Sequence, residues 1–131
     1  MDGEAITERL VSAAGNRMTT ILGHPSGRLL TKRDPYDFDS EAVWDAAAEN
    51  ETVIELNAHE QRLDVDWRSI PAVRDRGLSV AISPDAHTRK GLGEIDLAIH
   101  IARKGRLTRA DVINTMDRDG MEEYLENRRR R

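Results

Sequence analysis

Three short runs rich in aliphatic and β-branched residues, MTTIL at 18–22, TVIEL at 52–56 and LSVAI at 78–82, are separated by stretches whose apolar residues recur at helical spacing. This alternation constrains the fold more than any other feature, because strand–helix–strand order repeated along a chain is the signature of parallel βα units. The runs are near-continuously apolar rather than alternating, as in strands covered on both faces. Helices are predicted over 4–15, with Ile6, Leu10, Ala13 and Ala14 on one face and a stop at Gly15–Asn16, and over 39–50, with Asp39 or Ser40 as cap and Val43, Ala46 and Ala47 facing inward. A short helix over 69–77 closes at Gly77, and a longer one over 91–105 carries Leu92, Ile95, Ile99 and Ala102 on one stripe. Thr108 and Asp111 form a capping-box pattern, and 121–131 reads as a last amphipathic helix.

No fixed-period repeat, low-complexity linker or domain boundary interrupts 1–131, so a single α/β domain is expected. With 38% hydrophobic but only 4% aromatic residues, its core must rest on Leu, Ile, Val and Ala. A net charge of −4 argues against a general nucleic-acid coat, and the one basic run, RRRR at 128–131, reads first as a solvated helix end. The absence of cysteine removes disulfides and thiolate metal sites. No stretch is long and apolar enough for a secretory h-region or a membrane span, so a soluble cytoplasmic protein without membrane contact is the expectation.

Parallel α/β folds collect functional side chains at the carboxyl ends of their strands. Three of the four histidines fall there: His24 after the first run, His59 (with Asn57) after the second, and His87 (with Asp85) after the third. Side chains two apart in an extended segment point the same way, so Asp85 and His87 can share a target. Imidazole with carboxylate suits Zn²⁺, Mn²⁺ or Fe and is an odd choice for Ca²⁺. Against this stands the commoner reading of a loop histidine as solvated or locally hydrogen-bonded; an Asp-x-His pair alone is a weak metal signal. His100 reads as structural, Trp44 and Trp67 as packing residues, and Glu55 either faces a barrel interior or pairs with an arginine.

ILGHPSGRLL (21–30), ELNAHEQRLDVDWR (55–68) and SPDAH (83–87) resemble, in order and spacing, the last part of a PHP (polymerase and histidinol phosphatase) domain. The likeness is strongest with the PHP domain at the C-terminal end of bacterial and archaeal family X DNA polymerases, and covers nearly the whole chain. It implies the C-terminal βα units of a distorted (βα)₇ barrel, parallel strands with outer helices, and a polynuclear Mn²⁺ or Zn²⁺ centre at the carboxyl rim. It also implies phosphoester hydrolysis, in the polymerase-linked branch as a 3′–5′ exonuclease and 3′-phosphatase acting on DNA 3′ ends. Motif matching puts His24, Asp85 and His87 on metal-ligand positions and makes Arg28 the candidate for contacting phosphate. Asn57, His59, Arg62 and Asp64 are possible additional rim or substrate contacts.

The departures carry their own expectations. The His-x-His motif and further His and Glu ligands of the family's first strands are absent, as are the polymerase domain and its helix-hairpin-helix elements, and His59–Glu60 stands where relatives commonly have Asn-Pro. The chain is therefore expected to be a partial domain, completed by an N-terminal half or by self-association, with Met1 either a natural start or a fragment boundary. Whether it is an enzyme by itself stays open. A small-molecule phosphatase of the histidinol-phosphate type and a non-catalytic remnant or interaction module are the alternatives.

Overall fold

Aspartates start three of the helices. The Asp2 carboxylate accepts the Ala5 N–H at 2.9 Å ahead of α1 (Gly3–Ala14), Asp39 accepts from Ala42 at 3.1 Å ahead of α2 (Ser40–Glu49), and Asp117 accepts from Gly120 at 2.8 Å ahead of the last helix, Arg118–Arg129. Each satisfies an N–H that the first turn leaves without a partner. These features belong to a computed structural model that describes residues 2–130. α3 (Ile70–Asp75) has proline in its first turn, and α4 (Ile95–Lys104) follows a 3₁₀ segment at Lys90–Glu94 and stops at Gly105. Arg118–Arg129 is α5.

β1 (Ile21–Leu22), β2 (Val53–Asn57) and β3 (Val80–Ser83) form a three-stranded parallel sheet in the order β1-β2-β3. The strands lie within the three apolar runs and their immediate continuation, and consecutive ones are neighbours. Register divides the side chains into two sets. Leu22, Ile54, Leu56 and Val80 face the main core, where they meet Ile6, Leu10 and Ala14 of α1, Val43, Trp44 and Ala47 of α2, Ile70 and Val73 of α3, and Ala98 and Ala102 of α4. The alternate positions Val53, Glu55, Asn57, Ala81 and Ser83 face the other way. On that second face Val53 and Ala81 pack with Ile113 and, from α5, Met121 and Tyr124. The polar half, Glu55 and Asn57, lies toward the strands' carboxyl ends.

Two expectations change. The α4 stripe is rotated: Ala98 and Ala102 are buried, whereas Leu92 and Ile99 are 62% and 42% exposed. Small side chains let this helix lie close to the sheet, which a Leu or Ile at the same place would prevent. Second, the last helix starts at Arg118 rather than at Met121, and it packs on the face opposite the other four. The Thr108–Asp111 capping box is in place, at the first of two 3₁₀ turns, Arg109–Asp111 and Ile113–Thr115. Arg128 of the last helix donates to the carbonyls of Thr19 (2.7 Å), Asn50 (3.3 Å) and Glu51, tying α5 to the segments that lead into β1 and β2. Arg131 of the basic run lies outside the described residues. A closed barrel is not formed by these three strands.

Candidate functional site

The carboxyl rim is assembled around β2. Glu55 and Asn57, two apart on one face, reach to both sides. The Glu55 carboxylate accepts the backbone N–H of His24 at 2.7 Å, and Asn57 Nδ2 donates to Asp85 Oδ2 at 3.0 Å and to Glu55 Oε2 at 3.3 Å. The Asn57 side-chain Oδ1 takes the N–H of His59 at 3.0 Å, so this fully buried amide ties the end of β2 to that of β3, and Glu55 carries the link on to His24 after β1. His24 and Asp85, just beyond their strands, are in the left-handed region with φ of 31° and 50°, and so is Leu63 in the loop after β2 at 47°. Such conformations persist where surrounding contacts hold them.

Asp85 is the electrostatic centre of the rim. The Asn57 hydrogen bond holds its carboxyl below the usual carboxylate range, helped by nearby His87, Arg62 and His24 and opposed by desolvation. Arg62 Nε lies 3.4 Å from the same Oδ2. His87 Nδ1 is 2.7 Å from the Asp85 carbonyl oxygen, and its ring meets that of His59 edge to face at 6.1 Å. His59 Nδ1 in turn accepts the Gln61 N–H at 3.2 Å. The expected rim residues thus stand on one side of the sheet: His24, Asn57, His59, Arg62, Asp85 and His87.

Arg28 and Asp64 lie just behind them. Arg28 donates through Nε to the Arg62 carbonyl at 2.7 Å, through Nη2 to the Leu63 carbonyl, and through Nη1 to Asp66 at 2.8 Å. Its fork grips the 62–66 loop. Asp64 is fully buried; one oxygen accepts the Ser26 N–H at 3.4 Å and the other has no hydrogen-bond partner. Burial pushes its carboxyl up, against the bond from Ser26 and the charges of Arg28 and His24.

A metal ion needs several donors aimed at one point. Among the described residues no group of three or more His, Asp or Glu side chains is placed to hold one. The reason is visible in the contacts: Asp85 Oδ2 is engaged by Asn57 and Arg62, Glu55 Oε2 by His24 N–H and Asn57, and His87 Nδ1 by its own loop. The described residues do not by themselves make a cage for the implied centre. Glu55 was the residue whose place the sequence left undecided; it faces the rim and pairs with no arginine in the contacts above. Its alternation with Asn57 was the available signal, along with Gly23 opposite, whose added Cβ would sit 3.5 Å from Glu55 Oε2. His100, by contrast, is exposed on α4.

The fold is α/β, with a parallel three-stranded sheet whose carboxyl rim carries imidazole, carboxylate and guanidinium groups, and sequence comparison says what it is similar to. No protein-family model matches the chain. It is 31% identical over 120 residues to the DNA polymerase/3′-5′ exonuclease PolX of Bacillus subtilis (strain 168), covering 92% of this chain and 21% of that protein. It is 30% identical over 136 residues to a probable phosphatase of Caldanaerobacter subterraneus subsp. tengcongensis (99% of this chain, 51% of the relative). It is also 31% identical over 101 residues to the probable phosphatase YcdX of Escherichia fergusonii (72% and 39%). These relatives are PHP-domain proteins, and the chain corresponds to the C-terminal part of a PHP domain. It spans from about a fifth to about half the length of these curated relatives.

Proposed function

We propose that this chain is a segment of a metal-dependent PHP-type phosphoesterase, and that its substrates are phosphoesters at DNA 3′ ends, as in the 3′–5′ exonuclease and 3′-phosphatase activities of family X polymerases. The observation that carries the proposal is the convergence of His24, Asp85, His87 and Arg62 around Asn57 on one rim, in a chain similar to PolX over 92% of its length. Imidazoles and an ionised carboxylate supply donors suited to Mn²⁺ or Zn²⁺, and arginine supplies a fork suited to phosphate oxygens. In this assignment His24, Asp85 and His87 donate to the ions, and further donors come from another polypeptide segment, either the N-terminal half of a PHP domain or a second copy. Arg62 is the arginine at the rim itself, while Arg28 holds its loop; direct contact of Arg28 with phosphate requires release of Asp66.

The test is hydrolysis of a 3′-phosphate oligonucleotide, a 3′-hydroxyl oligonucleotide and histidinol phosphate, with and without Mn²⁺, by the chain combined with the preceding half of a PHP domain. Mn²⁺-dependent attack on the DNA substrates, lost on His87→Ala, is the expected result. Turnover of histidinol phosphate alone would move the substrate class to small molecules. No turnover of any substrate would leave a non-catalytic module.

A further inference from the structure

The arginine run near the end of the chain lies at the opposite end of the sheet from the rim. Arg128 grips the carbonyls of Thr19, Asn50 and Glu51, which lead into β1 and β2, and so fixes α5 against the segment between α1 and β1. Between the two is a hollow of about 200 Å³, lined by Arg17, Met18 and Thr20 from that segment and by Leu125, Arg128 and Arg129 from one face of α5. We propose that this hollow is a binding site for a phosphate group, separate from the carboxyl rim and independent of any hydrolysis there. Arg17 and Arg129 hold the phosphate oxygens, and Arg128 supports them with its charge.

Three observations carry the assignment. No carboxylate lines the hollow, although the chain as a whole has a net charge of −4. Glu49 and Glu51 line a neighbouring depression, which shares Arg17 and Arg128, and not this one. Next, the side chains of Arg17 and Arg129 have no ion pair or hydrogen bond among the described residues, whereas Arg130 beside them pairs with Glu126 at 3.4 Å. Their donors are available, and like charges gathered at one hollow repel until an anion arrives. Third, Arg128 directs its donors at neutral carbonyls, so its charge is held in place without being cancelled. Phosphate suits this set better than a lone carboxylate, because its several oxygens can take forks from two guanidiniums at once. Thr20, whose hydroxyl has no hydrogen-bond partner among the described residues, adds a neutral donor to the lining. Leu125 and Met18, the latter 79% exposed, add apolar surface for the organic group of a phosphate ester.

The test titrates the whole chain with inorganic phosphate and, separately, with a single-stranded oligothymidylate. Chelator is present so that no metal takes part, and ionic strength is fixed because salt screens such contacts. Nitrogen-15 spectra of arginine Nε–H and backbone amides report where each probe sits. The Arg17 and Arg129 side-chain signals and the Thr20 amide are expected to move together and saturably, while Arg103 and Arg106, exposed at the end of α4, stay still. Arg17→Gln combined with Arg129→Gln is expected to weaken phosphate binding at least about tenfold, and Arg103→Gln to leave it unchanged. Neither Arg17 nor Arg129 supports the fold through its side chain, so the double variant is expected to keep the wild-type circular dichroism; if it does not, the wild-type titration decides. Saturation of these signals by either probe supports the site, and the tighter probe says whether it serves a free phosphate or a strand. Shifts spread evenly over all exposed arginines, movement at Arg62 of the rim instead, no saturation by either probe, or equal affinity in the double variant overturns the proposal.

Discussion

Gly27 occupies a point where backbone and ring leave no room. Its φ is 61°, and a Cβ there would lie 2.1 Å from Tyr36 Cε2. Gly27→Ala combines left-handed strain with a collision, and is expected to cost about 2–3 kcal/mol in urea unfolding; an unchanged midpoint would mean that Tyr36 moves aside freely. Asp66 gives a pH-dependent case. Burial works to raise its carboxyl, but the Arg68 N–H at 2.9 Å and Arg28 Nη1 at 2.8 Å, with the charges of both arginines, hold it below 3.8. A carboxyl depressed on folding adds stability that is present above its unfolded value and is lost as pH falls through the folded one. Asp66→Asn is therefore expected to be less stable than wild type by about 1–2 kcal/mol at neutral pH, with the gap narrowing as pH drops below 3.8. A gap constant with pH would assign the loss to shape rather than charge. At this scale the position of His24 and Asp85 beyond the strand ends could be read from the sequence, because each follows an apolar run by two or three residues. The engagement of Arg28 was not, since its partners lie 34 to 38 residues away in sequence and only folding brings them together.

Strand order was the most legible property of the elements, because βα units of this spacing place consecutive strands side by side. The rotation of α4 was not: Leu92, Ile95, Ile99 and Ala102 form an apolar line by period, yet closeness to the sheet selected Ala98 and Ala102, and at the helix end a Cβ on Gly105 would come within 2.6 Å of Ile70. Nor did pattern disclose what the 3₁₀ turns after α4 do. Val112 pairs with Val80 in a parallel bridge, and the Asn114 side chain accepts the Ile82 N–H at 2.7 Å and donates to the Ile82 carbonyl at 2.9 Å. One side-chain amide thus takes the place of a strand along the outer edge of β3, covering polar groups that an edge otherwise offers to other chains. Asn114→Ala is expected to lower stability by about 1 kcal/mol and to accelerate hydrogen exchange at the Ile82 amide far more than at the Ile54 amide of the central strand. Equal acceleration at both sites would show general loosening instead of an exposed edge.

For the whole molecule, the two edges of the sheet differ. β3 is sealed by 112–114, while beyond β1 no further strand pairs among the described residues, and Ile21 and Met18 are 43% and 79% exposed beside it. No helix among the described residues is long and apolar enough to cross a membrane. The folded state is held by two apolar clusters on opposite faces, joined through the sheet, and by Arg128 gripping the carbonyls ahead of β1 and β2. The rim adds links of its own, Glu55 to His24, Asn57 to Asp85 and Arg28 to the 62–66 loop, each between groups of this chain. None of these contacts calls for a metal ion. A ligand that binds the folded state stabilises it only in proportion to its affinity and concentration, and a rim whose Asp85 is already paired offers little affinity. The chain is therefore expected to melt within about 1 °C of the same temperature in excess chelator and in micromolar Mn²⁺, and to leave a 3′-phosphate oligonucleotide uncleaved in both. A melting temperature that falls by many degrees on chelation would mean that His24, Asp85 and His87 do gather a tightly held ion. Mn²⁺-dependent cleavage abolished by His87→Ala would mean that His59 or a second copy supplies the remaining donor.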